Sequence, residues 1–448
     1  MNHERPRGNG RTRSGGGPLV VAFFPHNPYP PRTGAHYRCM QVINGLMELG
    51  CELILCSSSL FSETPWDEDA QLELLRAGLA DVRVYEPHRA DTVLRSMLLR
   101  SYHLLHLPIP LDSIFYTPPG LRLWFSRLLR DTQPDLVLIN YAYWDALAWG
   151  RPRGALRIID YYDILSRNRV MRRALNGFMP QPPIRPTEVD RAVLEEAFYS
   201  RLDYPELDKE LRIFDKYDYT LCIAEREAAF IAEHTNRTRA VFLPVTKEPV
   251  YLSNTYEGPA LFATGPNPFN LQGYLYLVRR VLPLMREEVS EPKVMVTGPC
   301  CDMVAPQEGV ELAGYVPDIT DLYAEASFVV CPVFGGTGQQ IKIVEAMAHG
   351  LPVVALRPAA EATPLQHGVS GWVAEDAAAF AAGMIRLWQD RNLCRRMGEA
   401  ARETVRSGYS HGRLLEGLSQ VIDYAKASDK ARKAHGKGYR EVEEMIGP

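Results

Sequence analysis

The chain of 448 residues reads as an α/β protein built from two open, parallel-sheet domains. Its length exceeds what a single core ordinarily organises, so two domains of about 200 residues each are expected. Short apolar, β-branched runs alternate with stretches whose apolar residues recur at helical spacing, the pattern of parallel strands covered by helices. Two stretches, residues 19–56 and 326–356, each read as strand, glycine-containing turn, helix and second strand.

Composition narrows the class. The apolar and charged fractions, 46% and 23%, are those of a water-soluble globular chain, and a formal charge of −4 argues against a dedicated nucleic-acid binder. The eight cysteines include no C-x-x-C pair and none at zinc spacing, which fits a reducing cytosol, with Cys300 and Cys301 as small core residues. Residues 1–18 are rich in Arg, Gly and Asn without an apolar centre, so a leader without order and without a secretion signal is expected. No run approaches the roughly 18 apolar residues of a membrane span.

Residues 19–24 form the first strand. Residues 25–34, with Pro25, Pro28, Pro30, Pro31 and Gly34, make a rigid turn, read either as a plain structural turn or as part of a site. A helix over 35–49 ends at Gly50, and a second strand covers 52–56. Residues 89–130 interleave arginines with Leu, Phe, Tyr and Trp. They read as helices with an Arg-lined solvent face or as a surface that docks on an anionic membrane. Strands follow at 134–140 and 156–160, which place Asn140, Tyr141, Tyr143, Asp160, Tyr162 and Asp163 at carboxyl ends, where open α/β sheets collect ligands. The acids Asp160 and Asp163, three apart, also admit a metal reading, though no metal is assigned. Residues 168–205, first Pro-rich and then helical in pattern, look like an insertion. A helix (207–216), a strand (219–223), a helix opening at Ala224 and a closing strand (241–245) complete a first domain spanning 19–245, followed by a hinge at 246–258.

The second domain, 259–408, opens with a strand over 260–264 and the loop Gly265-Pro266-Asn267-Pro268-Phe269-Asn270. A strand over 293–297 ends at Gly298. Residues 310–312 lead into Gly314-Tyr315-Val316 and a helix over 319–326. The most informative stretch follows. Residues 327–333 are a buried strand, Phe334-Gly335-Gly336-Thr337-Gly338 is a turn suited to close approach of a ligand, and 339–349 carries apolar residues at helical spacing. Gly350 ends that helix and 351–356 begins another strand. Unpaired N–H groups and the positive end of the helix dipole converge just past the turn, which suits a phosphate or diphosphate. The glycines match neither the dinucleotide fingerprint nor a P-loop. A helix over 409–426 and a charged tail over 427–448 close the chain.

Glu345-Ala346-Met347-Ala348-His349-Gly350-Leu351-Pro352-Val353-Val354, with the preceding proline and glycine loop, resembles the donor-binding unit of the retaining glycosyltransferases of family 4 type (glycosyl transferases group 1). The resemblance covers most of residues 20–426. It implies the GT-B fold, two facing Rossmann-like domains with an inter-domain cleft, and a last helix that crosses back to the first domain. The implied activity is transfer of a sugar from a nucleoside-diphosphate sugar to a glycan, lipid-linked or natural-product acceptor, with retention and without cofactor or metal. The implied setting is cytoplasmic, with peripheral contact at the inner face of a membrane through 89–130.

The resemblance also implies roles. Gly336, Thr337, Gly338, Gln339, Gln340 and Ile341 would meet the diphosphate with Lys342, Glu345 would hold the ribose, and Tyr315 and Val316 would face the base. Gly265, Asn270 and Gly298 would line the donor site, Gly34 would face the phosphates from the other domain, and Asp163, His36 and Thr337 would stand at the reacting centre. The chain departs from the family pattern at Thr337, where the first Glu of a Glu-x7-Glu pair is expected, at Tyr162, where His is common, and after Gly265, where an Arg and a Lys are frequent. These departures keep a catalytically silent scaffold as the alternative; a nucleotide-sugar epimerase and a dinucleotide oxidoreductase fit less well.

Overall fold

Apolar, β-branched runs become strands buried on both faces, as LVVAF, LVLIN, ALFA, FVVC and VVAL all do. The computed structural model describes residues 17–61, 65–150 and 154–423. The expected leader, save its last two residues, and the expected charged tail lie outside the described residues. The strands are β1 (Leu19–Phe23), β2 (Glu52–Ser58), β3 (Asp81–Tyr85), β4 (Leu136–Asn140), β5 (Leu156–Tyr161), β6 (Tyr219–Cys222), β7 (Arg239–Phe242), β8 (Ala260–Ala263), β9 (Val294–Thr297), β10 (Val310–Gly314), β11 (Phe328–Cys331), β12 (Val353–Leu356) and β13 (Gly371–Ala374). They form a seven-stranded sheet ordered β3-β2-β1-β4-β5-β6-β7 and a six-stranded sheet ordered β10-β9-β8-β11-β12-β13. Every pairing in the second sheet is parallel. In both sheets the strand order reverses beside the first strand, so each has a switch point, at β1/β4 and at β8/β11, where loops diverge and leave room for a ligand.

By compactness the described residues up to Ile158, with those from Leu418 onward, make one unit, and Ile159–Gly417 make the other. The division passes through β5, whereas by sheet membership the first sheet runs on to Phe242. The segment expected to be an insertion explains the difference. Its start is the helix Leu165–Asn176, and the helical pattern expected after the prolines is not an α-helix but three short 3₁₀ turns, Pro186–Glu188, Arg191–Leu194 and Phe198–Arg201. Pro180, Pro182, Pro183 and Pro186 withhold N–H groups and fix φ, so the chain is laid down in pieces. Side chains from the second sheet's helices tie the pieces in place. Gln272 donates to Val193 O, Arg279 to Val189 O and Arg280 to Leu194 O. Val189, Val193, Leu194 and Tyr199 join the core of the second unit.

In the first unit, the helix Arg89–Leu104 is held by few groups. Asp91, its one buried residue, accepts from Tyr85 OH and Gly120 N, and Arg95 turns inward over the Phe61 and Phe115 rings, 4.2 and 4.5 Å away. Met97, Leu99, Leu104, Leu105 and Leu107 are exposed, so the solvent face is apolar as well as basic. Among the described residues, no helix is long and apolar enough to cross a membrane.

The helix Ile341–Ala348 is set by a glycine contact. Gly350 ends it at φ +76°, and Gly398 of the helix Arg391–Gly408 approaches so closely that a Cβ on Gly398 would lie 2.0 Å from Gly350 O. Gly398→Ala therefore forces the two helices apart and is expected to cost about 1–3 kcal/mol in urea denaturation. Gly408→Ala, where a Cβ meets nothing within 4 Å, is the control and should not destabilise.

Candidate functional site

The loop after β11 is clamped on both sides. A Cβ on Gly335 would fall 2.5 Å from the Phe269 and Tyr199 rings, and one on Gly336 (φ +94°) 2.9 Å from Phe269. On the other side Gly338 (φ +79°) lies against the end of β5, where a Cβ would meet Tyr162 O at 2.2 Å and Asp163 Oδ1 at 2.6 Å. At Gly335, Gly336 and Gly338 there is no room for a side chain. Thr337 fastens it: Ile164 N donates to Thr337 Oγ1 at 2.9 Å, and that hydroxyl donates to Asp163 Oδ1 at 3.3 Å. Gln339 is buried and spends its side chain on Val245, accepting from its N–H and donating to its carbonyl.

The Gly338 N–H, expected to face a phosphate, donates instead to Glu227 Oε1 at 2.9 Å. Gln340 caps the helix through its carbonyl, which accepts from Ile343 N. The N–H groups left for a ligand are therefore those at the helix start itself, around Gln340 and Ile341.

At the β8/β11 switch point, Asn267 caps the helix Pro268–Tyr276 by accepting from Phe269 N, and Asn270 closes the preceding loop by donating to Gly265 O and Asn267 O. Asn270 Oδ1 accepts from Lys342 Nζ, whose ammonium also lies 5.3 Å from the Phe262 ring centre. Desolvation lowers the Lys342 pKa, and no carboxylate among the described residues pairs with it. A desolvated cation next to a helix N-terminus is a strong pointer to an anionic ligand. Nearby, Glu345 accepts from Lys247 Nζ at 2.5 Å and from Tyr323 OH at 3.5 Å. The ends of β8, β9 and β10 are tied together: Gly298 N donates to Gly314 O at 2.7 Å, and Thr297 Oγ1 to the same carbonyl at 2.8 Å. Tyr315 follows with its side chain exposed, and Val316 is half-buried.

Three acids gather beneath the loop. Burial pushes Asp163 up to about 7 against the hydrogen bond from Thr337, and Glu210 up to about 7 against N–H donation from Leu165 and Ser166. Burial, reinforced by the charge of Asp163, lifts Glu227 to about 8. Of the residues singled out in the sequence, Asp163, Thr337 and the loop glycines form one cluster, and Asn270 and Lys342 another. Gly34 and His36 belong to the first unit. Gly34 starts the helix Gly34–Glu48 under a Thr33 cap, and His36 is buried beside Phe24 and His26. There, Asn140 Nδ2 donates to Phe23 O across the β1/β4 switch point.

Sequence reasoning passes over Glu227 and Arg167. Glu227 stands in a first helical turn, where an acid usually serves the dipole. Its place just past a strand end, the criterion that singled out Asp163, was the available signal.

Residues 258–390 match the family profile described as glycosyl transferases group 1. No curated protein matches the chain. Among solved structures, sucrose-phosphate synthase from Thermosynechococcus elongatus covers 92% of this chain and 100% of its own, at TM-score 0.62 and 14% identity. HepE from Anabaena, solved with UDP and glucose, covers 91% and 100% at TM-score 0.55 and 11% identity. TarM covers 90% and 98% at TM-score 0.59 and 10% identity. The chain thus has the GT-B fold, and over residues 258–390 it carries a domain of the glycosyl transferases group 1 family.

Proposed function

We propose that the chain transfers a glycosyl group from a nucleoside-diphosphate sugar to a sugar or lipid-linked acceptor, with retention at the anomeric carbon. The observation that carries this is Lys342: a desolvated cation without a carboxylate partner, beside a helix N-terminus at the β8/β11 switch point. Lys342 and the N–H groups of Gln340 and Ile341 hold the diphosphate and stabilise the charge it gains on leaving. Gly265, Asn270, Gly298 and Gly336 let the donor approach the backbone. Glu345, oriented by Lys247, takes the ribose hydroxyls, and Tyr315 and Val316 face the base. Asp163 and Thr337 serve the reacting centre. No resident cofactor or metal is assigned, since Lys342 and the helix terminus carry the neutralisation. HepE has been solved with UDP-glucose, and an S. aureus TarM mutant with UDP and α-GlcNAc-glycerol, which makes uridine nucleotides the first donors to try.

The second reading is a GT-B scaffold without turnover, favoured by the Gly338 N–H being taken by Glu227 and by Thr337 standing where an acid is expected. Calorimetric titration with UDP, GDP and dTDP, followed by transfer assays on the matching sugars, separates the two. Binding with sugar release or transfer supports the enzyme; binding without turnover, or no response to any of them, supports the scaffold and removes the enzyme. For whichever nucleotide binds, Lys342→Met should weaken it roughly 10- to 150-fold, the equivalent of one charge-assisted bond of about 1.5–3 kcal/mol. An unchanged affinity would remove Lys342 from the phosphate site.

The buried acids set a pH dependence. Their folded pKa values lie above the ordinary 3.8–4.5, so the folded state keeps protons that the unfolded chain has lost. Their contribution is full below about pH 4 and fades as pH rises through 7 to 8. Melting temperatures at pH 5 and pH 9 should therefore converge in Glu227→Gln relative to the parent protein, and an equal spread in both would contradict the shift.

The apolar, basic helix Arg89–Leu104 supports peripheral contact with an anionic membrane face. The chain should co-sediment with vesicles containing phosphatidylserine, and Leu104→Glu with Leu105→Glu should abolish this while leaving the melting temperature unchanged.

A further inference from the structure

The second unit holds a pocket of about 510 Å³ beside the glycine loop, walled by the loop, the helix Leu165–Asn176, residues 196–204 and the helix Glu225–His234. Its size falls within the range of about 300–1,000 Å³ usual for small-ligand sites. Lys342 and Asn270 do not line it, but Gly336, Thr337 and Gln340 do, so it adjoins the proposed donor site.

We infer that this pocket binds a sugar-sized ligand bearing an anionic group, a carboxylate or a phosphate, with the Arg167 guanidinium as its recognition element. Arg167 has no ion pair and no hydrogen bond from its guanidinium among the described residues, and its Nε is buried without a partner. It is held in place by aromatic faces instead, with Phe230 at 4.5 Å and Tyr204 at 5.7 Å. Aromatic support orients the cation but leaves its N–H donors unspent, the state of an arginine waiting for a bidentate oxyanion.

The other charges of the pocket are already matched. Arg226 pairs with Glu361, and Glu196 pairs with Arg280 at 3.5 Å while accepting from Tyr276 OH. Glu227 feels the Arg167 charge but forms no ion pair or hydrogen bond with it among the described residues, and burial favours its neutral form. Its Oε2, buried and without a partner, is a second group left over, suited to a sugar hydroxyl. Phe334, Tyr199, Tyr204 and Phe230 make part of the lining aromatic. Calling the ligand an acceptor rests on the transferase reading; the anion site itself does not.

Calorimetric titration of the full chain with glucose, glucose 6-phosphate, glucuronate and inorganic phosphate, and separately with UDP, tests this. At least one anionic sugar should bind about tenfold or more tightly than glucose, and Arg167→Gln should bring it to the glucose level with UDP affinity unchanged. The carboxylate and phosphate arms show which anion is preferred, and binding of inorganic phosphate alone would mean an oxyanion site without a sugar and overturn the proposal. Equal binding of neutral and anionic sugars, no anionic sugar bound at millimolar concentration, or an unaffected Arg167→Gln variant would also overturn it. So would a parallel loss of UDP binding in that variant, which would give Arg167 to the donor phosphates. Should Arg167→Gln fail to fold, Arg167→Lys decides: it keeps the charge and loses the fork, so weaker anionic-sugar binding with UDP unchanged supports the site, and unaltered binding refutes it. Anionic-sugar binding without any nucleotide binding would defeat the transferase reading and leave this one standing.

Discussion

The second unit depends on a gap that leaves no room for a side chain at three of four successive positions. Between the Phe269 and Tyr199 rings on one side and the Tyr162–Asp163 backbone on the other, the chain passes as Gly335, Gly336, Thr337 and Gly338, and two of those glycines take positive φ. Because the glycines let the loop lie close to its neighbours, its polar groups meet partners at close range. Thr337 meets Ile164 and Asp163, and Gly338 meets Glu227. The helix that carries Lys342 and Glu345 starts directly after this anchored turn and ends at the Gly350–Gly398 contact, so both of its ends are fixed. A cation held this way can wait for an anion without rearrangement, which is where preorganised electrostatics gains its effect.

Much of this was legible in the chain itself. The strands were readable because residues buried on both faces leave continuous apolar runs, and the glycine turn because no other residue type fits its conformation. The helix expected after the prolines of 168–205 was not formed, for a reason that periodicity cannot show. Its apolar residues do recur at intervals, but they reach the second core as separate turns held by Gln272, Arg279 and Arg280, residues 70 or more positions downstream. Long-range anchoring overrode local pattern there.

The site was legible in part, and the division follows chemistry. Residues that must be glycine or lysine announce themselves by type. Glu227 and Arg167 belong to common types in common places, an acid in a first helical turn and an arginine on a helix. Only the partners they have, or lack, distinguish them. Glu227 is set apart by a glycine N–H donated from 111 residues away, and Arg167 by aromatic rings in place of a carboxylate.

The substitution at position 337 follows from the same electrostatics. Thr337 Oγ1 lies 3.3 Å from Asp163 Oδ1, and the charge of Asp163 already raises Glu227. A glutamate at 337 would put a further carboxylate against this group. Like charges at that range in poorly solvated surroundings are relieved by protonation, so the added acid would have stayed neutral or driven Asp163 further from ionisation. A threonine hydroxyl does the opposite: it donates to Asp163 and favours its charged form, holding it near 7 against burial. The acid the family pattern expects in the loop is thus replaced by a donor, and the carboxyls packed beneath the loop are Asp163 after β5, Glu227 after β6 and Glu210 on the helix Leu207–Phe214.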